Sequence, residues 1–236
     1  VMSYCVIADN HVHDCGGTQG DGIEIKQGSH HNWVYRNHVH DTNYPCIIAY
    51  GTGGSGINVI EQNVCYRSND SVIQVQGEAI VRNNLLVAGQ TAGFASTDHQ
   101  GKTSRLSFVH NTIIAGHRGA NLTSWNGRSE MIFANNVIYT DQGDALRFPN
   151  GAQDVVVSGN VLVGRVSGIT KGFVIGKGLA DFTSVSWDGK NRDATPSRNS
   201  SFIGEADKKY VTEVDITGRK RGHQRTAGAF DAVTPP

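Results

Sequence analysis

The chain has 236 residues, of which 38% are hydrophobic and only 18% are charged, so it is long enough to bury a sizeable core. Its 21 basic and 21 acidic residues cancel, which argues against nucleic acid as a partner, and its mean hydropathy of −0.33 argues against a membrane span. The 29 glycines and the frequent asparagines disfavour a helical protein, and the regular recurrence of Val and Ile disfavours disorder.

The first 65 residues hold all four cysteines, at positions 5, 15, 46 and 65. No pair has the CxxC spacing of a zinc knuckle. One or two local disulfides and four buried thiols both remain open, and thiols are slightly favoured. The segment Val1–Cys5 continues into a strand-like pattern without a basic leader, so no signal peptide is predicted.

An asparagine recurs in the first two thirds of the chain, always inside the same pattern. The anchors are Asn10, Asn37, Asn63, Asn84, Asn111, Asn136 and Asn160, separated by 27, 26, 21, 27, 25 and 24 residues. An apolar residue stands three positions before each asparagine and two positions after it, as in VIADNHVHD and WVYRNHVHD. A repeat of this length is typical of a solenoid.

A coil of about 25 residues has room for three short strands and three turns. Successive side chains of a strand point to opposite faces, so the recurring spacing of apolar residues around the asparagines predicts an inward row on each strand. Asparagine tolerates the left-handed conformation that a sharp corner needs, and stacked amides hydrogen-bond along a ladder. The sequence therefore predicts about seven stacked coils, spanning roughly 34 Å.

The chain resembles the right-handed parallel β-helix proteins of the pectate-lyase-like superfamily, in particular their generic β-helix repeat members. The asparagine repeat carries the resemblance over residues 3–165, and Asp215-Ile-Thr-Gly218 with Gly228-Ala-Phe-Asp231 resembles a closing motif of such proteins. The last residue of that motif is Asp231 here instead of Glu. The resemblance implies an all-β fold and a secreted, extracellular or periplasmic location. An antiparallel β-sandwich, the alternative, would explain the alternation but not the asparagine period.

We predict parallel β-helix coils over residues 1–165, without an N-terminal cap, and a final coil with an irregular C-terminal capping tail over residues 166–236. Counted from Arg165 onward, the end of the chain carries a net charge of +4 and the residues before it −4. Arg219, Lys220, Arg221 and Arg225 form either a patch for an anionic ligand or, as we favour, a solvated loop that pairs with the acidic coils. At the Val1 end, a missing preceding segment or another chain is expected to cover the first coil.

A second strand precedes the asparagine segment in most coils, and its outward residues predict a binding groove. The predicted strands are Ile23–Lys26, Ile47–Tyr50, Ile73–Gln76, Phe94–Thr97, Leu122–Trp125 and Leu146–Phe148. Long polar and aromatic side chains on one sheet suit an extended sugar chain, because rings pack on aromatics while amides and charges bind hydroxyls and carboxylates. The predicted substrate-binding residues are Tyr50, Gln74, Gln76, His99, Lys102 and Trp125.

The resemblance also implies catalytic residues, since lyases of this superfamily use an Arg or Lys base beside groups that neutralise the sugar carboxylate. Lys26, flanked by Glu24, is the leading candidate, and Arg147 and Lys102 are weaker ones. In the alternative interpretation, Glu24 and Lys26 only keep a strand soluble. The metal-ligand motif followed by Ser-x-Lys-Ser, found in alginate and chondroitin lyases, is not matched, so Ca²⁺ stays open and no cofactor is assigned.

Two copies of an Asn-His-Val-His-Asp segment, 10–14 and 37–41, lie one coil apart. His11 should stack over His38 and His13 over His40, each pair about 5 Å apart. Such a cluster suits Zn²⁺ or Cu²⁺, but stacked surface side chains are the favoured interpretation, and no metal site is assigned.

Three functions follow from this pattern. The first is a carbohydrate-active enzyme, a lyase, hydrolase or epimerase that acts on an extended polysaccharide in a groove on one parallel sheet. The second is a non-catalytic carbohydrate-binding or adhesive module of a larger secreted protein, and the third is a structural solenoid within an assembly. Whether the chain is an enzyme at all stays open from its sequence.

Overall fold

The structure, a computed structural model, describes residues 1–232 and consists of parallel strands wound around three faces. Face A contains β1 (Val6–Ala8), β4 (Trp33–Tyr35), β7 (Asn58–Glu61), β10 (Ala79–Arg82), β13 (Leu106–Val109), β16 (Met131–Ala134) and β18 (Val155–Ser158). Face B contains β2 (His11–Cys15), β5 (His38–Thr42), β8 (Val64–Ser68), β11 (Leu85–Gly89), β14 (Thr112–Ala115), the start of β17 (Val137–Arg147), β19 (Asn160–Ser167) and β20 (Phe173–Ile175). Face C contains β3 (Ile23–Ile25), β6 (Ile47–Ala49), β9 (Ile73–Val75), β12 (Phe94–Ser96), β15 (Arg118–Leu122) and the ends of β17 and β19.

This architecture confirms the predicted all-β parallel β-helix. Each strand pairs in parallel with the strand one coil earlier and one coil later, as in the order β1-β4-β7-β10-β13-β16-β18. The described residues complete about six turns, slightly fewer than the seven coils expected from the asparagines. None of the helices in residues 1–232 is long and apolar enough to cross a bilayer.

The core of the solenoid consists of the apolar residues that the repeat predicted. On face A, the residue three positions before each asparagine pairs in register with its equivalents, as Val34 does with Ile60. On face B, the residue two positions after each asparagine does the same, as Leu86 does with Cys65 and Ile113. Only Ile7, Val12 and Val157, at the ends of the two rows, are partly buried and the other inward residues are fully buried, so both inward rows form one continuous core.

The seven asparagines stack at the corner between faces A and B. Each side-chain nitrogen donates to the side-chain oxygen of the next asparagine, over donor–acceptor distances of 2.8, 3.0, 3.0, 2.9, 3.3 and 3.0 Å along the chain. Each such oxygen also accepts the backbone N–H of the preceding asparagine in the stack. The ladder therefore provides hydrogen-bond partners for backbone N–H groups at the corner, which are not paired within either sheet.

From the sequence we expected the left-handed conformation at the asparagine itself. In the structure, the residue immediately before the asparagine adopts it. Asp9, Arg36, Gln62 and Asn83 have φ between 52° and 58°, and His110 and Asn135 have φ of 52° and 58°. The asparagine begins or directly precedes the face B strand, where its amide serves as a hydrogen-bonding group. The strained left-handed conformation thus occurs at a position whose residue type differs from coil to coil.

The tail after the last coil packs along face B. It contains a short 3₁₀ helix (Leu179–Asp181), the antiparallel pair β21 (Phe182–Val185) and β22 (Arg192–Pro196), and a second 3₁₀ helix (Lys208–Tyr210). Its apolar side chains form a second core with the outward residues of face B. From the tail these are Phe182, Ala194, Phe202, Ala206, Ile216, Ala227 and Ala229, and from face B they include Leu85, Val87, Ile114, Val137, Tyr139 and Val161.

The tail is also hydrogen-bonded to the corner between faces A and B. The Gln62 amide donates to the Asp215 carbonyl, the Asn83 amide donates to the Val214 carbonyl, and Asn135 exchanges bonds with Asp207. The predicted boundary between residues 165 and 166 falls inside β19, and residues 233–236 of the predicted tail lie outside the described residues. The division into two domains stays a prediction.

The Val1 end of the solenoid has exposed apolar side chains. Val1, Met2, Tyr4 and Val6 are exposed by between 53% and 90%, a level unusual for large apolar residues near a core. The covering segment or chain that the sequence predicted there stays a prediction. In the described part of the chain the four cysteines form no disulfide, and Cys5 and Cys15 are partly exposed where the favoured expectation had four buried thiols. Cys46 and Cys65 are buried side by side, and burial raises the pKa of Cys65 well above its usual range.

His110 is buried where the tail meets the corner. Its Nε2 accepts from the Asn135 amide at 3.0 Å, so the proton of the neutral ring resides on Nδ1, which donates to the Gly228 carbonyl at 3.2 Å. Burial, reinforced by the charge of Arg221, lowers the pKa of His110 well below its usual value. The pKa of His110 is therefore lower in the folded state than in the unfolded state, where it is about 6.5. The neutral buried ring contributes its full stability to the fold above that pH, and this contribution declines as the pH falls below it.

We expect a His110→Asn variant to lose less stability on acidification than the parent, by up to about 1.4 kcal/mol per pH unit below pH 6.5. Asparagine suits the left-handed backbone at this position and does not titrate. Urea unfolding at several pH values measures the slope. His223→Asn, at an exposed position, is the matched control and should retain the slope of the parent. Parallel slopes for His110→Asn and the parent would contradict this assignment.

Candidate functional site

The outward row of face C runs in register across the solenoid. The residues that pair in sequence along this row are Glu24, Ile48, Gln74, Ala95, Asn121, Arg147 and Ser167. Ile48 is buried and the others are at least partly exposed. The row therefore intersperses polar residues with the apolar Ile48 and Ala95, and its two charged residues, Glu24 and Arg147, lie near opposite ends.

Glu24 and Lys26 form the polar region nearest the Val1 end. Their side chains are two residues apart on one face of the strand, and the Lys26 ammonium donates to Glu24 Oε1. The Lys26 side chain is exposed by 64% and the Glu24 side chain by 24%, so the pair is open to a ligand. Its hydrogen bond to Glu24 raises the pKa of Lys26. Lys26 is thus a stable cation, better suited to neutralise a carboxylate than to remove a proton.

Tyr50 lies one coil beyond Lys26, directly after β6. Burial, followed by the charges of Glu24 and Asp21, raises the pKa of the Tyr50 phenol. The phenol is therefore protonated at neutral pH and can donate a hydrogen bond beside the ion pair. Its ring centroid lies 6.4 Å from that of His99, which brings two of the predicted substrate-binding residues together.

Asp21 belongs to this region and was missed by the sequence analysis. Burial, followed by the charge of Glu24, raises the pKa of its carboxyl group. Asp21 stands between Gly20 and Gly22. A Cβ atom at Gly20 would lie 2.1 Å from a backbone oxygen, and one at Gly22 would lie 2.5 Å from another. An aspartate between two sterically required glycines, just before a strand, is the signal that identifies it.

Gln74 extends the region by one further coil. Its amide donates to Asp70 Oδ2 at 3.3 Å, and the other oxygen of Asp70 accepts from the Thr91 hydroxyl at 2.8 Å. Gln74 is partly exposed, as predicted for a residue that binds sugar hydroxyls. Gln74 and Asp70 continue the line of polar groups from Lys26 along the solenoid axis.

Gln76 is buried instead of outward, contrary to the prediction. It follows the end of β9, is only 5% exposed, and its side-chain oxygen accepts the backbone N–H of Gln100 at 3.2 Å. The loop that contains His99 and Lys102 folds back over this glutamine, and the Gln100 carbonyl accepts the Gly51 N–H at 2.9 Å. Gln76 therefore holds the loop in place, while His99 and Lys102 are exposed on it.

Trp125 is fully buried, so its predicted place on the outward row is wrong. The strand in its coil is Arg118–Leu122, and Ala120 pairs with Phe94 and Leu146, two residues earlier in the chain than predicted. Trp125 therefore lies beyond the strand, in a turn, where its ring contacts Phe133 and Phe148 edge to face at centroid distances of 6.1 Å. Its indole N–H has no hydrogen-bond partner among the described residues.

Arg147 is on the outward row but far from Lys26. Five strand spacings separate Glu24 from Arg147 in the register, which corresponds to about 24 Å. Within the described residues, no carboxylate lies within 4 Å of the Arg147 guanidinium. Lys26 and Arg147 therefore cannot act on the same glycosidic bond, although one extended polymer can contact both.

The paired histidines of face B stack as predicted. The ring centroids of His11 and His38 are 4.9 Å apart and those of His13 and His40 are 5.2 Å apart, with nearly parallel planes. Across residues 1–232, no three His, Cys, Asp or Glu side chains converge as a metal site requires. No cluster of such side chains for the Ca²⁺ left open by the sequence is therefore found among the described residues.

Comparison with known proteins gives one solved structure with a similar fold. No protein-family model matches the chain, and no curated protein matches it. The crystal structure of pectate lyase Pel9A is similar over 91% of this chain and 74% of that chain, with 13% sequence identity and a TM-score of 0.39. The fold is therefore established by the strand register and the asparagine ladder described above.

Proposed function

We infer that the chain is a carbohydrate-active β-helix protein that binds an extended acidic polysaccharide along face C. The observation that supports this most is the grouping of Asp21, Glu24, Lys26, Tyr50 and Gln74 on three consecutive coils of one exposed sheet. A cation, two carboxyl groups, a phenol and an amide in a line are the groups that bind and process a chain of uronic acids.

Each group has a role in this proposal. The Lys26 ammonium binds and neutralises a sugar carboxylate, which acidifies the adjacent ring proton. Asp21, whose pKa is raised, and Glu24, which lies beside Lys26, are the proton-transfer groups. Tyr50 and Gln74 bind ring faces and hydroxyl groups. A polymeric substrate of this kind agrees with a secreted, extracellular or periplasmic location, and a further segment or chain would cover the Val1 end.

A panel of acidic and neutral polysaccharides tests the proposal. Pectate, alginate, hyaluronate and a neutral glucan are incubated with the protein, and both ultraviolet absorbance of unsaturated uronates and release of reducing ends are recorded. Absorbance with an acidic polymer indicates a lyase, and reducing ends without absorbance indicate a hydrolase. Absence of both, together with absence of binding to every acidic polymer, contradicts the proposed function.

Lys26→Ala should lower kcat/KM on the active polymer by about 10- to 100-fold, because the carboxylate of the substrate loses its cation. Lys26→Arg should retain most of the activity, since the charge is preserved. Lys171→Ala removes an exposed lysine beyond β19 and serves as the control, with no expected change. An unchanged kcat/KM in Lys26→Ala would exclude Lys26 from the site.

A non-catalytic carbohydrate-binding module is the second candidate, and the separation of Arg147 from Lys26 favours it. At about 24 Å, the two cations are placed to contact different residues of one polymer and not to complete one catalytic centre. Saturable binding of an acidic polymer without any turnover, weakened by both Lys26→Ala and Arg147→Ala, would identify the module.

A further inference from the structure

A cavity of about 520 Å³ lies where the tail stops covering face B. The tail covers the outward side chains of face B from Val64 onward, whereas the first two coils present the histidines there. Arg192 and three other tail residues form one wall of the cavity, and the second and third coils form the other. The cavity is therefore a product of the tail and is separate from the polar groups of face C.

The floor of the cavity is apolar. Val64 from β8 meets Ile216 and Phe230 from the tail, and we call these three residues the apolar floor. Phe230 belongs to the Gly228-Ala-Phe-Asp231 segment, which the sequence analysis identified but to which no function was assigned. A surface of this kind packs against the C–H face of a ring or a short hydrocarbon.

The rim of the cavity is cationic. Arg36 and Arg192 line it, and no aspartate or glutamate is among the described lining residues. Arg36 is engaged by Asp9 through two hydrogen bonds of 2.8 and 2.7 Å. Arg192 lies over the Tyr66 ring at 3.9 Å and donates from Nη1 to backbone carbonyls, while its Nε and Nη2 have no partner among the described residues.

His38 contributes a buried nitrogen without a partner. Its Nε2 is shielded from solvent and makes no hydrogen bond to any described residue, although the ring lines the cavity. An unpaired buried nitrogen is costly, and a ligand oxygen would satisfy it because neutral imidazole can carry its proton on Nε2. The cavity thus combines an unpaired imidazole nitrogen, a guanidinium with unused donors and an apolar surface.

We propose that this cavity binds a monosaccharide-sized organic carboxylate, with its anionic group between Arg192 and His38. The ring of the ligand packs on the apolar floor. Guanidinium and imidazole donors recognise the carboxylate, and the floor selects a ring over a bare anion. The inference does not depend on the proposed function of face C, since the two sites lie on different faces and either can fail alone.

Nuclear magnetic resonance titration of the ¹⁵N-labelled full chain with D-galacturonate, D-galactose and inorganic phosphate tests the proposal. We expect saturable shifts at residues of the cavity, with a Kd for galacturonate at least tenfold lower than for either other probe. Galactose has the ring without the charge, and phosphate has the charge without the ring. Equal affinity for phosphate or galactose, or no saturable binding of galacturonate, overturns the proposal.

Arg192→Gln should raise the Kd for galacturonate at least tenfold, whereas Arg198→Gln, at an exposed position of the same tail, should leave it unchanged. His38→Phe keeps a ring beside Tyr66 and removes the nitrogen, and should raise the Kd about fivefold. Arg192→Gln could weaken binding merely by releasing the tail from face B. His38 is not part of the tail, so the Kd of His38→Phe tests the cavity in that case. Parent-like binding by both Arg192→Gln and His38→Phe contradicts the assignment.

Discussion

Replacing Asn111 with alanine should lower the free energy of unfolding by about 3–5 kcal/mol. The side chain is fully buried in the middle of the ladder, and its oxygen accepts from both the backbone and the side chain of Asn84. Its nitrogen donates to the carbonyls of Val81 and Val109 and to Asn136. Alanine leaves several of these buried groups unpaired at once, and each costs about 1–3 kcal/mol.

Asn10→Ala is the matched control, because Asn10 is exposed at the end of the same ladder and its side-chain oxygen accepts no hydrogen bond from the described residues. Its expected cost is about 1 kcal/mol or less. Urea unfolding monitored by circular dichroism measures both variants. Equal losses at the two positions would show that the ladder is a consequence of the fold and not one of its main sources of stability.

Arg221→Ala should lower the free energy of unfolding by about 3–4 kcal/mol, since this guanidinium joins segments of the tail to one another and, through Asn83, to the solenoid. It donates to the Asn83 side chain at 2.9 Å and to the Gly228 carbonyl at 2.8 Å, and further to Ala229, Thr226 and Thr212. Burial lowers the pKa of Arg221 to about 10, so it is still charged at neutral pH.

Arg221→Lys should recover less than half of the loss, because one ammonium cannot reach acceptors arranged around a planar guanidinium. Lys220→Ala, at the adjacent exposed position, should change the free energy of unfolding by about 0.5 kcal/mol at most. These values come from chemical unfolding at neutral pH. Comparable losses in Lys220→Ala and Arg221→Ala would argue against the specific role of the guanidinium.

The coil arrangement could be predicted from the sequence because the asparagine and its two flanking apolar positions are a strictly local signal. Val34, Asn37 and Val39 each pair in register with the equivalents that the alignment assigned. The left-handed residue was misplaced by one position. Its side chain differs from coil to coil, as Arg36 and Gln62 show, and only the backbone conformation repeats.

The position of the tail along face B was available in the sequence but not used. After Asn84, Asn111 and Asn136 the face B strands begin LLV, TII and VIY, with no charged residue at these positions, which indicates burial on both faces of the sheet. After Asn10 and Asn37, histidine alternates with valine, which indicates an open outer face. The composition of these strands therefore distinguishes the covered coils from the uncovered ones.

The outward placement of the candidate residues agrees with the sequence only where the strand ends were predicted correctly. Glu24 and Gln74 lie in strands whose register the sequence indicated, and Lys26 and Tyr50 directly follow such strands. In the fifth coil the sequence offers Leu122 and Ala120 as equally suitable inward residues, and the choice of Leu122 placed Trp125 outside. A shift of two residues leaves each side chain of the strand on the same face of the sheet, so the alternation of apolar and polar residues cannot detect it.

The attachment of the tail limits how this solenoid can evolve by duplication of coils. Repeat proteins usually gain or lose units freely, since each unit contacts only its neighbours. Here one segment of fixed length bonds to Gln62, Asn83 and Asn135 in three different layers. An extra coil between these layers would displace one anchor by about 4.8 Å from its partner. Coils added before Asn37 would leave every anchor in place, so the Val1 end is where length can vary.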